Sequence, residues 1–280
     1  MNIQTALNYA NNKLKRCNIR SFNLDSEILM SKILKENRIQ VLLNLNKELE
    51  TDEIIEFDNL IEQRSKGKPI AYLIGYKHFW KSKFFIDKNV LIPRPDTEII
   101  VEQALFLSRH KSKLNILDVG IGSGCILFSI LNERKDFYGT GIDKNEKSLK
   151  VCKINAFNLG VDKRVKFFKT DIDNFSYGKY DLIISNPPYI NTLDLKYLEK
   201  DIVKFEPKIA LDGGIEGTSE IRKVIDKSSE LIKKNGKLIL EIGHNQKNKV
   251  SNMLKKRGFY IFKTLKDYAK NDRCIISTKL

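Results

Sequence analysis

The chain has 280 residues, enough for one large or two modest domains with a substantial core, and its net charge of +15 suits a nucleic acid or ribonucleoprotein partner. It contains no apolar run long enough to span a bilayer, and its first residues lack the basic and then apolar pattern of a signal peptide, so we expect no membrane association. The four cysteines are scattered without a Cys-x-x-Cys pair, which argues against structural zinc and a disulfide framework and predicts a cytoplasmic protein.

Residues 1–68 are predicted to form a small helical domain. Apolar side chains between Ile3 and Leu14 recur at helical spacing and give the first helix one apolar stripe. Thr51, which is followed by two acidic residues, is a favourable N-cap for a later helix. This part of the sequence contains no catalytic constellation, so we expect it to position a partner or a substrate.

Residues 69–95 are rich in β-branched and aromatic side chains and predict a β-hairpin that links two domains. Trp80, the single tryptophan, lies just before a turn at Lys81 and Ser82. It and its aromatic neighbours could stack on nucleic-acid bases. More often such a cluster packs at a domain junction, and we favour that interpretation.

A rigid acidic turn, Pro93–Glu98, follows the hairpin segment and opens a helix. Asp96 is suited to cap this helix. Thr97 and Glu98 could instead face a ligand, because loops held on a rigid scaffold often carry function.

Residues 96–280 alternate between strand and helix patterns, which predicts an α/β domain with a mainly parallel sheet. The predicted strands are Leu114–Val119, Phe137–Ile142, Val165–Lys169, Tyr180–Ser185, Lys237–Ile242, Phe259–Thr264 and Arg273–Thr278. In such a sheet, ligands bind at the carboxyl ends of the strands, so the residues that follow each strand are the candidates for a functional site.

A glycine-rich turn, Gly120-Ile121-Gly122-Ser123-Gly124, follows the first of these strands and precedes a helix. Its glycines allow a ligand to approach the backbone at a helix N-terminus. The spacing is not that of a dinucleotide site, since position 125 is Cys, and no Gly-Lys-Ser/Thr of a Walker loop follows. The turn alone is weak evidence for a particular ligand.

Two carboxylates follow the next two strands. Asp143 lies 19 residues beyond Gly124, the distance expected for a carboxylate that binds ribose hydroxyls. Asp171 can reach the amino group of an adenine, and Ile172 can cover the ring. One ligand at the switch point of the sheet could contact this turn, both carboxylates and Asn186, which makes the combination a strong signal.

The tetrapeptide Asn186-Pro187-Pro188-Tyr189 follows a buried strand, and its two prolines stop the sheet. The Asn186 amide oxygen and the Pro187 carbonyl can accept the two hydrogens of a planar amino group, and the Tyr189 ring can stack on its face. An ordinary strand-ending turn is the alternative interpretation, since Pro and Asn are common in loops.

Several motifs together resemble the peptide chain release factor glutamine methyltransferases, the PrmC or HemK family, within the S-adenosylmethionine-dependent methyltransferases of the seven-stranded, Rossmann-like class I. The resemblance extends over essentially the whole chain, and the order and spacing of the motifs make it specific. The motifs are Pro69-x-x-Tyr72-Leu73-x-Gly75, Ile92-Pro93-Arg94-Pro95-Asp96-Thr97-Glu98, Asn186-Pro187-Pro188-Tyr189-Ile190, Glu206-Pro207-x-x-Ala210-Leu211-x-Gly213-Gly214 and Leu240-Glu241-Ile242-Gly243-x-x-Gln246.

The resemblance implies transfer of a methyl group from S-adenosylmethionine to the side-chain amide nitrogen of the glutamine in the Gly-Gly-Gln motif of release factors. On this view residues 120–124, Asp143, Asp171, Ile172 and Asn186 bind the cofactor. Residues 186–189 bind the substrate, and Asn186, Pro187 and Tyr189 act in catalysis.

The sequence departs from the family pattern at two positions. Lys270 stands where the family usually has Gly, and Ile172 replaces an aromatic residue that often follows the motif aspartate. Because of Lys270, the loop near the C-terminus could differ in conformation from that of the family. Because of Ile172, the adenine could be packed less tightly.

Enzymes that methylate the exocyclic amino group of adenine or of guanine share the Asn-Pro-Pro-Tyr signature and are the main alternative. The net charge of +13 beyond residue 80 keeps this alternative open, although a lysine-rich composition explains it equally well. Residues 1–80 carry only +2, from 12 basic and 10 acidic groups, which suits a protein partner better. A non-enzymatic nucleotide-binding module would have no use for Asn186 and Tyr189. We therefore expect a release factor as substrate, with no metal, membrane or nucleic acid required.

Overall fold

The computed structural model describes residues 1–279, with only the backbone described at Lys200. The chain forms two compact units. One contains Met1–Tyr76 together with Glu199–Phe205, and the other contains Lys77–Leu198 and the chain from Glu206 onward. The predicted domain boundaries at residues 68 and 95 remain predictions, whereas the return of residues 199–205 to the first unit was not anticipated.

The first unit is helical, as the sequence indicated. Its apolar side chains form one core that includes Ile3, Leu14, Leu29 and Phe57. Asn2 caps the first helix by accepting a hydrogen bond from the backbone N–H of Thr5 at 2.9 Å. The helices are α1 (Ile3–Arg16), α2 (Phe22–Leu34), α3 (Arg38–Leu43), α4 (Thr51–Ser65), α5 (Ile70–Ile74) and α9 (Lys200–Phe205).

Two local predictions in this region were wrong. Glu50, not Thr51, occupies the N-cap of α4. The segment predicted as a hairpin from residue 69 begins with the helix α5, because Pro69 starts a helical turn and Gly75, with φ +82°, ends it. The β-formers in this stretch misled the prediction, since five residues between a proline and a glycine are too few for a period to be recognised.

A buried ion pair lies inside the helical unit. Nε of Arg64 in α4 lies 2.7 Å from Oδ2 of Asp25 in α2, and the two side chains are almost fully buried. Nη1 of Arg64 also approaches Oδ2 of Asp201 in α9 at 3.4 Å. The pair thus connects three helices, and loss of either partner would leave a charge buried without compensation.

Replacing Arg64 by Ala is expected to lower the free energy of unfolding by about 3–5 kcal/mol, since the Asp25 carboxylate would lose its countercharge in a buried site. Lys66 is the matched control, because its ion pair with Glu62 is largely exposed at 3.1 Å. Lys66→Ala is expected to cost less than about 1 kcal/mol. Urea denaturation of both variants measures the difference, and equal small losses would contradict a stabilising role for the buried pair.

The second unit contains a β-hairpin, a seven-stranded sheet and five helices within its described residues. The hairpin strands are β1 (Tyr76–Phe79) and β2 (Ser82–Phe85). The sheet strands are β3 (Asn115–Val119), β4 (Tyr138–Asp143), β5 (Val165–Lys169), β6 (Tyr180–Ser185), β7 (Ile232–Glu241), β8 (Phe259–Lys266) and β9 (Asp272–Lys279). The helices are α6 (Glu98–Leu107), α7 (Cys125–Glu133), α8 (Glu146–Asn158), α10 (Ser219–Leu231) and α11 (Lys247–Lys256).

The strand order is β5-β4-β3-β6-β7-β9-β8, with β9 antiparallel to both of its neighbours and the other pairs parallel. One apolar cluster joins α6, α7 and α8 to one face of the sheet, and a second joins α10 and α11 to the other. This confirms the predicted seven-stranded, Rossmann-like fold. The chain reverses its winding between β3 and β6, so the loops after these strands diverge and leave a crevice between them.

Trp80 packs within the second unit. Its ring N–H donates to Oε1 of Glu133 at 3.0 Å, and its backbone N–H donates to Oε1 of Glu98 at 2.7 Å. Phe79 and Phe84 belong to the apolar cluster of the sheet. These contacts favour a packing role for the aromatic residues over a base-stacking surface, and they show Glu98 supporting the hairpin turn.

The loop near the C-terminus accommodates the lysine that departs from the family pattern. Lys270 has φ +66°, in the left-handed region that favours glycine. Its backbone N–H donates to the Asp267 carbonyl at 2.9 Å, and the Asp267 side chain accepts from Nη2 of Arg273 at 2.9 Å. These hydrogen bonds stabilise the turn. They offset the cost of the left-handed conformation, which is about 1 kcal/mol for a residue other than glycine.

Candidate active site

A cavity lies at the carboxyl ends of β3, β4, β5 and β6. The ends of these strands are level, since Val119 pairs with Ser185 and Asp143 pairs with Lys169. The cavity brings together most of the residues predicted from sequence to bind cofactor or substrate. Those that line it are Gly120, Ile121, Gly122, Ser123, Asp143, Asp171, Ile172, Asn186, Pro187 and Pro188.

The glycine turn that follows β3 forms one wall of the cavity. Gly120 and Gly122 have φ values of +75° and +55°, and a side chain at Gly120 would project into open space. Gly124 is different, since it does not line the cavity and a Cβ there would lie 2.1 Å from the Phe128 ring. Gly120 and Gly122 therefore keep the wall bare, whereas Gly124 allows α7 to pack closely.

Asp143 is held at the end of β4 by the backbone. Its Oδ2 accepts from the N–H of Gly122 at 3.1 Å, and its Oδ1 accepts from the N–H of Asn145 at 2.8 Å. Burial raises the pKa of the Asp143 carboxyl, and these hydrogen bonds oppose the shift. Each oxygen keeps a lone pair for a further donor, as a ligand with a pair of hydroxyl groups would supply.

Asp171 and Ile172 follow β5. Oδ1 of Asp171 accepts from the N–H of Asp173 at 3.3 Å, which fixes the turn and leaves Oδ2 near the ammonium of Lys223 at 3.8 Å. Ile172 is buried and contributes to the apolar cluster on the α10 face. An aliphatic side chain thus covers the position where the family often has an aromatic ring.

The amide of Asn186 is bonded to a residue from another segment. Its Nδ2 donates to Oγ1 of Thr97 at 3.1 Å. The preceding Ser185 donates to the Val119 carbonyl at 2.8 Å and ties β6 to β3. Asn186 therefore sits beside the glycine turn, with its orientation set from outside the tetrapeptide.

Tyr189 is not among the residues that line the cavity. It is partly buried, its hydroxyl donates to Oε1 of Glu241 at 3.3 Å, and the guanidinium carbon of Arg273 lies 6.0 Å from its ring centroid. Burial and the neighbouring carboxyl raise the pKa of the Tyr189 hydroxyl. The bond to Glu241 ties the end of the tetrapeptide to β7, and the predicted stacking of Tyr189 on a substrate stays a prediction.

Two buried carboxyl groups lie behind the site, and the sequence predicted a role for neither of them. Burial raises the pKa of Asp118, in β3, to about 8. Burial also raises the pKa of Glu241, in β7, to about 7, although interactions with Thr97 and Arg273 oppose that shift. Asp118 carried a usable signal, because it is the one acid in a mainly apolar strand and such residues are seldom buried without a role. Glu241 carried a weaker one, since β7 also contains several polar residues.

Within residues 1–279, no group of three or more His, Cys, Asp and Glu side chains is arranged to hold a metal ion. No helix in the same range is long and apolar enough to cross a membrane.

Comparison with known proteins covers both units of the chain. A family model described as the PrmC N-terminal domain matches residues 5–75, and one described as a methyltransferase domain matches residues 110–272. The fold is similar to that of a methyltransferase from Pyrococcus furiosus, with a TM-score of 0.53 and 17% identity over 79% of this chain and 98% of that one.

Sequence relatives match along the whole length. A release factor glutamine methyltransferase from Buchnera aphidicola is 37% identical over 279 residues, which covers 100% of both chains. One from Clostridium acetobutylicum is 36% identical and covers 100% of this chain and 99% of the relative. The similarity inferred from the motifs is thereby confirmed, and the chain belongs to the release factor glutamine methyltransferase family.

Proposed function

We propose that this protein transfers a methyl group from S-adenosylmethionine to the side-chain amide nitrogen of the glutamine in the Gly-Gly-Gln motif of peptide chain release factors. One observation carries the proposal: the bare glycine turn and the Asn186 amide line the same cavity. A ligand on the glycine wall and an amino group at Asn186 would therefore be close enough to react. Membership of the family supports the identity of the substrate.

The residues of the cavity fit S-adenosylmethionine. Gly120 and Gly122 would leave room for its amino acid portion, and Asp143 offers acceptors for the two ribose hydroxyls. Asp171 and Ile172 would bind the adenine through its amino group and its face. When bound, the cofactor supplies an electrophilic methyl group on a sulfonium sulfur, so this chain needs no metal to activate the donor.

The difficult partner is the glutamine amide, whose nitrogen lone pair is delocalised into the carbonyl. We assign to Oδ1 of Asn186 and the Pro187 carbonyl the role of accepting its two hydrogens. Both acceptors orient the nitrogen and increase its electron density. Positioning of reacting groups can lower an activation free energy by up to about 7–11 kcal/mol. No side chain has to act as a general base before methyl transfer, because the proton can leave the nitrogen afterwards to water or to a carbonyl.

The test is transfer of labelled methyl groups. Purified protein, labelled S-adenosylmethionine and a bacterial release factor are incubated, and the label is located by peptide mass. We expect label on the glutamine of the Gly-Gly-Gln motif and none on a release factor in which that glutamine is replaced by Ala. Total RNA and DNA serve as rival acceptors, and label found only in polynucleotide would overturn the proposal in favour of a nucleic-acid methyltransferase.

We also propose that nucleic acid is not required for the reaction and that the protein acts in the cytoplasm. The four free cysteines suit a reducing compartment, and a release factor substrate is a protein of translation. Nuclease treatment of the assay should therefore leave the rate of methylation of a free release factor unchanged.

A further inference from the structure

The hydroxyl of Thr97 is the hydrogen-bond partner of the Asn186 amide. Thr97 ends the short 3₁₀ turn Pro95–Thr97, immediately before α6, and is 2% exposed. Because water has almost no access to it, the single hydrogen of this hydroxyl has to be donated to another protein group.

Glu241 provides that group. It ends β7 and is 2% exposed, and the Thr97 hydroxyl interacts with its carboxylate. Oε1 already accepts from Tyr189, whereas the buried Oε2 has no partner of standard hydrogen-bond geometry among the described residues. A threonine hydroxyl can rotate its hydrogen toward such an oxygen, and an ionised carboxylate can only accept.

The direction of these hydrogen bonds determines which end of the Asn186 amide meets Thr97. If Thr97 donates to Glu241, its Oγ1 presents only lone pairs to Asn186, so Asn186 must offer Nδ2, as the 3.1 Å contact shows. Oδ1, on the other branch of the amide, is then left for a ligand in the cavity. A flipped amide would present Nδ2 to the incoming amino group, where two donors would oppose each other.

We propose that Thr97 and Glu241 are positioning residues that keep the Asn186 amide oxygen directed at the substrate amino group. This inference rests on the proposed function, in which Oδ1 of Asn186 accepts a hydrogen from the glutamine amide. Thr97 borders the cavity beside Asn186, whereas Glu241 does not line it, and we assign neither residue a direct contact with the reacting atoms. Both act through Asn186, so they should influence turnover and leave cofactor binding unchanged.

The test compares two substitutions of Thr97 in the full-length protein, assayed with S-adenosylmethionine and release factor. Thr97→Val keeps the shape and removes the hydroxyl, and we expect kcat to fall about 10–100-fold because the amide orientation is no longer fixed. Thr97→Ser keeps the hydroxyl, and we expect kcat within about threefold of wild type. The Kd for S-adenosylmethionine and the Tm should change little in either variant.

Glu241→Gln is the second variant, and it remains informative if Thr97→Val fails to fold. Its new NH₂ group can donate to Thr97. This would reverse the donor and acceptor roles in the hydrogen bonds that link Glu241, Thr97 and Asn186, so kcat should fall to a similar extent. The assay is run near pH 8.5, above the pKa of about 7 for Glu241, so that the wild-type carboxylate is ionised. Combining Glu241→Gln with Thr97→Val should add little to either loss, because both act through one amide.

The outcomes separate this inference from the proposed function. Wild-type kcat in Thr97→Val, or equal losses in the Val and Ser variants, would overturn the positioning role even if Asn186→Ala is inactive. Loss of turnover in Thr97→Val with recovery in Thr97→Ser supports it. Wild-type turnover in Asn186→Ala would instead refute the role of Asn186 itself.

Discussion

Replacing Asn186 by Ala is expected to reduce kcat about 10²–10³-fold, the effect seen when one preorganised hydrogen-bonding group is removed from a reacting centre. The substitution removes Oδ1, which we assign as acceptor for the glutamine amide, and leaves the backbone carbonyl of Pro187 as a single acceptor. The substrate nitrogen would then be both less well oriented and less electron-rich. Initial rates at saturating cofactor and release factor measure this effect.

Cofactor affinity should distinguish a loss of catalysis from a loss of structure. Asp143 and the glycine turn remain intact in Asn186→Ala, so calorimetric titration with S-adenosylmethionine should give a Kd within a fewfold of wild type. Asn158→Ala is the control, since Asn158 is exposed at the end of α8 and is not among the residues that line the cavity. Near-wild-type turnover, or a rate loss fully recovered by more cofactor, would rule out the assigned role.

Replacing Asp143 by Ala should act on binding first. We expect the Kd for S-adenosylmethionine to rise roughly 10–150-fold, because a charged acceptor for the ribose hydroxyls contributes about 1.5–3 kcal/mol. The N–H groups of Gly122 and Asn145 would also lose their partner, which loosens the turn. Glu146→Ala is the control, because the ion pair of Glu146 with Lys169 at 2.8 Å is exposed. An unchanged binding isotherm in Asp143→Ala would contradict the assignment.

The same carboxyl predicts a pH dependence. Burial raises the pKa of Asp143 in the free protein, and ribose hydroxyls donate best to the ionised form. Cofactor binding therefore favours deprotonation, so affinity should fall as the pH is lowered through the raised pKa. Asp143→Asn cannot ionise, and its Kd should lack this part of the pH dependence.

The parts of the site that follow strands were predictable from sequence, because a parallel sheet places the carboxyl ends of its strands at one edge. Residues 120–124, Asp143, Asp171 and Asn186 each follow an apolar run, and that pattern alone brings them together. Gly124 is the exception, because it follows the same strand but does not line the cavity. Its neighbour is the Phe128 ring, four positions along α7, so it serves packing and not the ligand.

The groups behind the site were not predictable in this way. Asn186 is separated from Thr97 by 89 residues and Tyr189 from Glu241 by 52, and no spacing rule relates such pairs. Thr97 was predicted as a possible ligand contact, and it does line the cavity, but its bond to the Asn186 side chain could not be foreseen. The hydroxyl of Tyr189 is directed to a carboxylate in β7, a pairing that the sequence did not predict, and stacking of its ring on the substrate stays a prediction. Side-chain pairs that are distant along the chain are brought together by the packed sheet, so local sequence patterns do not predict them.

The fold shows the same division. The strands were predicted in their correct order, but β7 begins at Ile232, five residues before the predicted start at Lys237. The pairing of β7 with β6 shifts register between these two positions, since Ile232 pairs with Tyr180 and Lys237 with Leu182. Polar residues within this extension concealed the strand pattern. The short helices α5 and α9 have too few turns for a recognisable hydrophobic period, so neither the helices nor the residues they contact could be predicted from the sequence.

The packing of α9 has a consequence for dissecting the protein by truncation. The helix lies more than 120 residues beyond Tyr76, yet it belongs to the same compact unit as α1–α5 and places Asp201 beside Arg64. A fragment that begins at residue 77 would retain α9 while lacking the helices it packs against. The helix would have lost the rest of its compact unit, including the Arg64 partner of Asp201, and would be a site for aggregation or proteolysis. An inactive fragment would therefore say nothing about which unit carries the chemistry.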